Sequence, residues 1–133
     1  MRQTIVYRGD LRVEALHVDS QNTIMTDAPK DNQGRGESFS PTDLLCTALA
    51  SCMLTIAGIK ARTLNIDMSG ITVDLEKKMT SSPRKVGEIV LRFDWKGLDR
   101  RISSEQLETL KQAAITCPVA LSLDPNVKKT MIW

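Results

Sequence analysis

Apolar and polar positions follow two different periods along the chain. From Ile5 to Val18, β-branched and apolar residues surround a turn at Arg8-Gly9-Asp10, and Thr23-Ile24-Met25 follows a second turn at Gln21-Asn22. This predicts an antiparallel meander over residues 2–26. Asp27 to Ser38 carries Pro29, Asn32, Gly34 and Gly36, which is turn chemistry, and reads as a surface loop. A long helix is then expected from Phe39 to Arg62. Ser40 suits its N-cap, Pro41 its first position, Asp43 completes a capping-box-like pair with Ser40, and Phe39 with Leu44 forms a hydrophobic staple. From Leu44 to Ile59 apolar or small residues occupy nearly every side of the wheel, interrupted only by Thr47, Ser51, Thr55 and Gly58. That pattern predicts a helix buried all round.

Beyond a connection at 65–70, Ile71, Val73 and Leu75 alternate with polar neighbours, as do Ile89, Leu91, Phe93 and Trp95. With Ser81-Ser82-Pro83 between them they predict a hairpin with one apolar face, suited to covering a helix. Ser103 and Gln106 form a capping box, Ile102 and Leu107 staple it, and Leu107, Leu110, Ala113, Ala114 and Cys117 follow one helix face. Pro118 should bend this helix and start a new turn. Val127 to Trp133 reads as a final strand, and neither an internal repeat nor a low-complexity tract interrupts the order.

Composition narrows the class. A chain of 133 residues fits one domain spanning 1–133, yet a helix buried on all sides needs more cover than so short a chain supplies, so a homodimer is expected. Lys plus Arg number 18 and Asp plus Glu 16, with no long run of one sign, which gives no reason to expect nucleic acid. The N-terminus lacks an apolar signal-like segment, and no apolar run is expected to span a membrane, so the expected location is cytoplasmic. Three cysteines, an odd number, do not make a disulfide scaffold and fit intracellular thiols with at most one redox-active pair.

Candidate chemistry lies in those thiols. Cys46 and Cys52 sit on helix faces roughly 120° apart and cannot act as a vicinal pair. With no Cys-x-x-Cys pair and one distant histidine, His17, a zinc site is not expected, and no cofactor is called for. Gly34-Arg35-Gly36 lacks the lysine and hydroxyl of a phosphate loop. Buried cysteines commonly act as small hydrophobes, which is the reading for Cys46. Cys52 and Cys117, by contrast, lie on core-directed faces of two helices that one small domain packs together. Ala48, Ser51, Ala113 and Ala114 beside them permit the close approach that a disulfide needs.

The phrases Ser40-Pro41-Thr42-Asp43-Leu44-Leu45, Ala50-Ser51-Cys52-Met53, Ala113-Ala114 and Cys117-Pro118-Val119 make the sequence resemble the OsmC/Ohr family of osmotically inducible and organic hydroperoxide resistance proteins, in its general OsmC-like branch. Thr26-Asp27-Ala28-Pro29, Glu76-Lys77-Lys78-Met79, Pro83-Arg84 and Ser122-Leu123 extend the resemblance over nearly the whole chain. It implies an α+β fold: an intertwined homodimer whose antiparallel sheets wrap around two central helices per chain. It also implies a two-cysteine peroxidase site at the subunit interface, with Cys52 peroxidatic and Cys117 resolving. In such proteins an arginine of the N-terminal strands favours the thiolate and a glutamate directly after the helix-start proline holds that arginine. Arg12 matches the arginine best, with Arg8 the substitute. At the glutamate position this chain has Thr42, and Asp43 projects from roughly the opposite helix face to Cys52, so the arginine is expected to lack its carboxylate.

Two functions follow. In the first, thiolate Cys52 reduces an organic, lipid-like hydroperoxide, becomes a sulfenic acid and condenses with Cys117 to a disulfide that a dithiol reductant reopens. The second is a non-catalytic dimer that binds a small apolar ligand or senses redox state, and Thr42 in place of glutamate favours it.

Overall fold

The computed structural model describes residues 1–133 and contains an α+β chain of six strands and three α-helices. Two compact units make it up, Met1–Leu45 and Cys46–Trp133. In the first, β1 (Gln3–Gly9), β2 (Arg12–His17) and β3 (Thr23–Asp27) form an antiparallel sheet in that order, the meander expected from the pattern. The β1–β2 reversal runs through Asp10 and Leu11, both with positive φ, and the register sets Arg12 directly opposite Asp27. His17 ends β2, where its Nδ1 meets Ser20 Oγ at 2.7 Å within the turn, a local role for the chain's one histidine.

Residues 28–39 loop back onto the end of β3. Gly34 N–H donates to Pro29 O and Gly36 N–H to Ala28 O, while Asp27 N–H donates to Phe39 O. A Cβ at position 34 would come within 1.7 Å of the Ala28 carbonyl oxygen, so this tight fold over Ala28 demands glycine.

The loop delivers the chain to α1 (Pro41–Thr63). The capping box expected of Ser40 and Asp43 is present: Asp43 N–H donates to Ser40 Oγ at 3.1 Å and Ser40 N–H to Asp43 Oδ2 at 2.8 Å. Phe39 remains 57% exposed, so the proposed staple does not bury it. Burial of α1 is also narrower than its composition suggests. Cys46, Leu49, Met53, Ala57 and Ala61 form one buried stripe, whereas Leu45, Ala48, Thr55 and Ile59 on the opposite side are exposed. Small residues on that side make the wheel look uniformly apolar in the sequence. The same composition gives α1 the length and apolar character of a bilayer-crossing helix, contrary to expectation, although its buried stripe belongs to the protein core.

That core lies in the second unit. β4 (Thr72–Ser81) and β5 (Arg84–Asp94) form the expected hairpin, turning at Ser82–Pro83, and β6 (Lys128–Ile132) adds to β5 in parallel. This sheet is therefore mixed rather than wholly antiparallel. Ile89, Leu91 and Phe93 of its central strand pack with the α1 stripe and with Leu110 and Ala114 of α2 (Ser104–Ile115). α2 opens on the complete Ser103/Gln106 capping box. Phe93 stacks on Trp95 and Trp133 tilts against both, with ring centroids 4.5 to 6.1 Å apart and Lys111 Nζ 5.6 Å from the Trp133 ring centroid. Glu88 ties the sheet together: it accepts from Thr130 Oγ1 at 2.7 Å and pairs with Lys78 and Lys128 at 3.3 Å.

Candidate thiol and arginine sites

Helix α1 places Cys52 next to its buried stripe, half-buried and packed against the core. Cys117 arrives by a route that differs from expectation. α2 stops at Ile115 and Cys117 is not on its face; it is the extended N-cap of α3 (Pro118–Ser122), with Pro118 at the first helical position. Proline lacks the N–H that α2 would need to continue but suits a new first turn, so it breaks the helix where only a bend was expected. The break drops Cys117 fully into the core, beside Cys52.

All three cysteines are free thiols. Burial pushes the Cys117 thiol above the ordinary cysteine range, the backbone amides of Ala120 and Val119 oppose this, and the adjacent Cys52 sulfur adds to it. A half-buried thiol beside a fully buried one can, once oxidised to a sulfenic acid, be attacked by its neighbour to form a disulfide with loss of water. Cys46, although fully buried, shares α1 with Cys52 and faces elsewhere, as its position six residues earlier requires.

Arg12 sits in the N-terminal sheet and is held by two carboxylates. Its Nε donates to Asp27 Oδ1 at 2.7 Å and its Nη2 to Asp27 Oδ2 at 2.9 Å, a bidentate fork, while Nη2 also donates to Glu37 Oε2 at 2.7 Å. Asp27 is 2% exposed, and Glu37 N–H donates to its Oδ2 at 3.1 Å. The Arg12 side chain holds the Asp27 carboxyl below the usual carboxylate range, and Asp27 and then Glu37 hold the guanidinium firmly charged. The expectation of an arginine without its carboxylate is thus corrected. Position 42 is threonine, but Asp27, directly across the β2–β3 ladder, and Glu37, from the loop, supply the acid groups. The signal was present in the sequence as Thr26-Asp27-Ala28-Pro29, where a carboxylate ends a strand just before a turn. Recognising it required the strand register. Arg8, by contrast, pairs with Glu14 on the exposed sheet surface at 3.1 Å, as a solvated cross-strand ion pair does.

Comparison with known proteins agrees with this architecture. A family model described as OsmC-like protein matches residues 34–131. Among solved structures, a protein of Psychrobacter arcticus 273-4 described as an osmotic stress induced and detoxification response protein is 47% identical, with a TM-score of 0.88 over 98% of this chain and 93% of that one. An organic hydroperoxide resistance protein OsmC of Legionella pneumophila has the same fold at 18% identity, with a TM-score of 0.72 over 98% and 93% of the two chains. So does an OsmC-like protein of unknown function from Vibrio cholerae, at 16% identity and a TM-score of 0.78 over 98% and 97%. A search of curated protein sequences returns no match. With the family model covering most of its length and the thiols and arginine set in this fold, the chain belongs to the OsmC-like protein family.

Proposed function

We propose that this protein is a cytoplasmic, homodimeric thiol peroxidase that reduces organic hydroperoxides. The observation that carries the reading is the pairing of half-buried Cys52 with fully buried Cys117 in one core. Cys52 thiolate attacks the distal peroxide oxygen; the O–O bond breaks, the alkoxide takes a proton and leaves as the alcohol, and Cys52 becomes a sulfenic acid. Cys117 then attacks the Cys52 sulfur, forming the disulfide and releasing water, and a dithiol reductant returns both thiols. Arg12 is assigned the role of the cation that favours the Cys52 thiolate, which the family resemblance supports. The exposed apolar side of α1 supports a dimer and an apolar substrate. The non-catalytic reading drew its support from the missing glutamate, and the carboxylates on Arg12 remove that support.

Stopped-flow mixing of the reduced protein with cumene hydroperoxide tests the proposal. The expected result is loss of two thiols per chain and gain of one Cys52–Cys117 disulfide. Thiols that survive excess peroxide unchanged would return the protein to the ligand-binding class.

A further inference from the structure

Arg12 is held by two acids of unlike character. Asp27 is buried, grips the guanidinium with both oxygens, and is itself fixed by the Glu37 N–H. Glu37 reaches Arg12 through one bond, its side chain is 61% exposed, and it rides on the glycine-containing loop. A single exposed ion pair contributes little and exchanges readily, whereas a bidentate pair to a buried carboxylate persists. Charge makes the difference consequential. With both acids bound, one guanidinium stands between two carboxylates and the cluster is net negative, which repels any approaching anion. With Glu37 released, Arg12 and Asp27 are together neutral and an Nη2 donor is open.

We propose that Asp27 is the positioning residue for Arg12, and that Glu37 is a displaceable counter-ion occupying the guanidinium edge that an incoming anion takes. This inference rests on the peroxidase reading for its consequence, but its structural half stands on the three hydrogen bonds alone. Substitutions divide the two roles. Glu37→Gln should keep Arg12 in place and speed peroxide reduction several-fold, since the competing charge is gone. Asp27→Asn should release Arg12 and slow the reaction on the order of tenfold, with Asp27→Glu restoring part of the rate by returning the charge.

The accompanying readout is hydrogen exchange of the Arg12 Nε–H by nitrogen-15 NMR, which follows the guanidinium's anchoring independently of any peroxide. Protection retained in Glu37→Gln and lost in Asp27→Asn supports the division; equal loss in both, or loss in Glu37→Gln alone, overturns it. If Asp27→Asn does not fold, Glu37→Gln decides: a rate no faster than the parent's overturns the counter-ion role. A parent protein inert to peroxide sinks the peroxidase reading and the turnover half of this inference, and the exchange pattern then decides the anchoring half.

Discussion

Cys117 carries two opposed demands. It must attack an oxidised partner as a thiolate, yet burial raises its pKa first of all, against the pull of the Ala120 and Val119 amides. Closure of the disulfide should therefore accelerate with rising pH across the neutral to mildly alkaline range, up to about tenfold per unit while the thiol remains mostly protonated. Following the second kinetic phase after a peroxide pulse checks this, and a flat profile would mean that Cys117 is not the resolving group. Mild oxidation should link Cys52 to Cys117 and leave Cys46 free, because Cys46 faces away along the same helix. Peptide mapping that found Cys46 in the bridge would contradict that geometry.

At the scale of elements, the second sheet depends on one acid. Glu88 of β5 sits among Thr130, Lys128 and Lys78, and its pKa falls from an ordinary 4.5 to about 2, chiefly through the Thr130 hydroxyl, with the two lysines helping. A carboxylate depressed on folding contributes stability that is complete above its unfolded pKa and is lost as pH falls toward the folded value. Acid titration of stability between pH 4.5 and about 2 should hence be steeper in the parent than in Glu88→Gln, as measured by urea unfolding at each pH. Equal slopes would place the acid sensitivity elsewhere.

Much of this level was legible in the sequence. Period-two alternation located β4 and β5, and both capping boxes marked their helix starts. What could not be read depended on partners distant in sequence. The parallel addition of β6 leaves no local mark, the acids on Arg12 appear only once β2 and β3 are in register, and Cys117 joined the wrong helix because Pro118 is equally compatible with a bend and a break. The exposed side of α1 is illegible in the sequence for the opposite reason: alanine and threonine there do not distinguish a buried face from an exposed one.

For the whole molecule, that side bears on assembly. Leu45 and Ile59 are 39% and 56% exposed on a helix whose other side is core, and Ile5, Tyr7 and Ile24 of the N-terminal sheet are more than half exposed. Apolar surface of this kind is the mark of an interface. Sedimentation at micromolar concentration should find a dimer of the 14.8 kDa chain and no folded monomer. Ile59→Lys should shift it toward smaller, less stable species. A parent that sediments as a well-folded monomer would refute the intertwined arrangement.

The stacked aromatic cluster has an optical consequence. Both tryptophans of the chain, Trp95 and Trp133, belong to the Cys46–Trp133 unit, and Trp95 is nearly fully buried, whereas the meander that presents Arg12 contributes only Tyr7. Indole emission thus arises in one unit alone, with no indole on the strands that carry the guanidinium. Heating followed in parallel by fluorescence and by far-ultraviolet dichroism should give coincident curves if the chain melts all at once. An early dichroic loss at constant emission would reveal arginine-bearing strands that let go while the thiols stay packed.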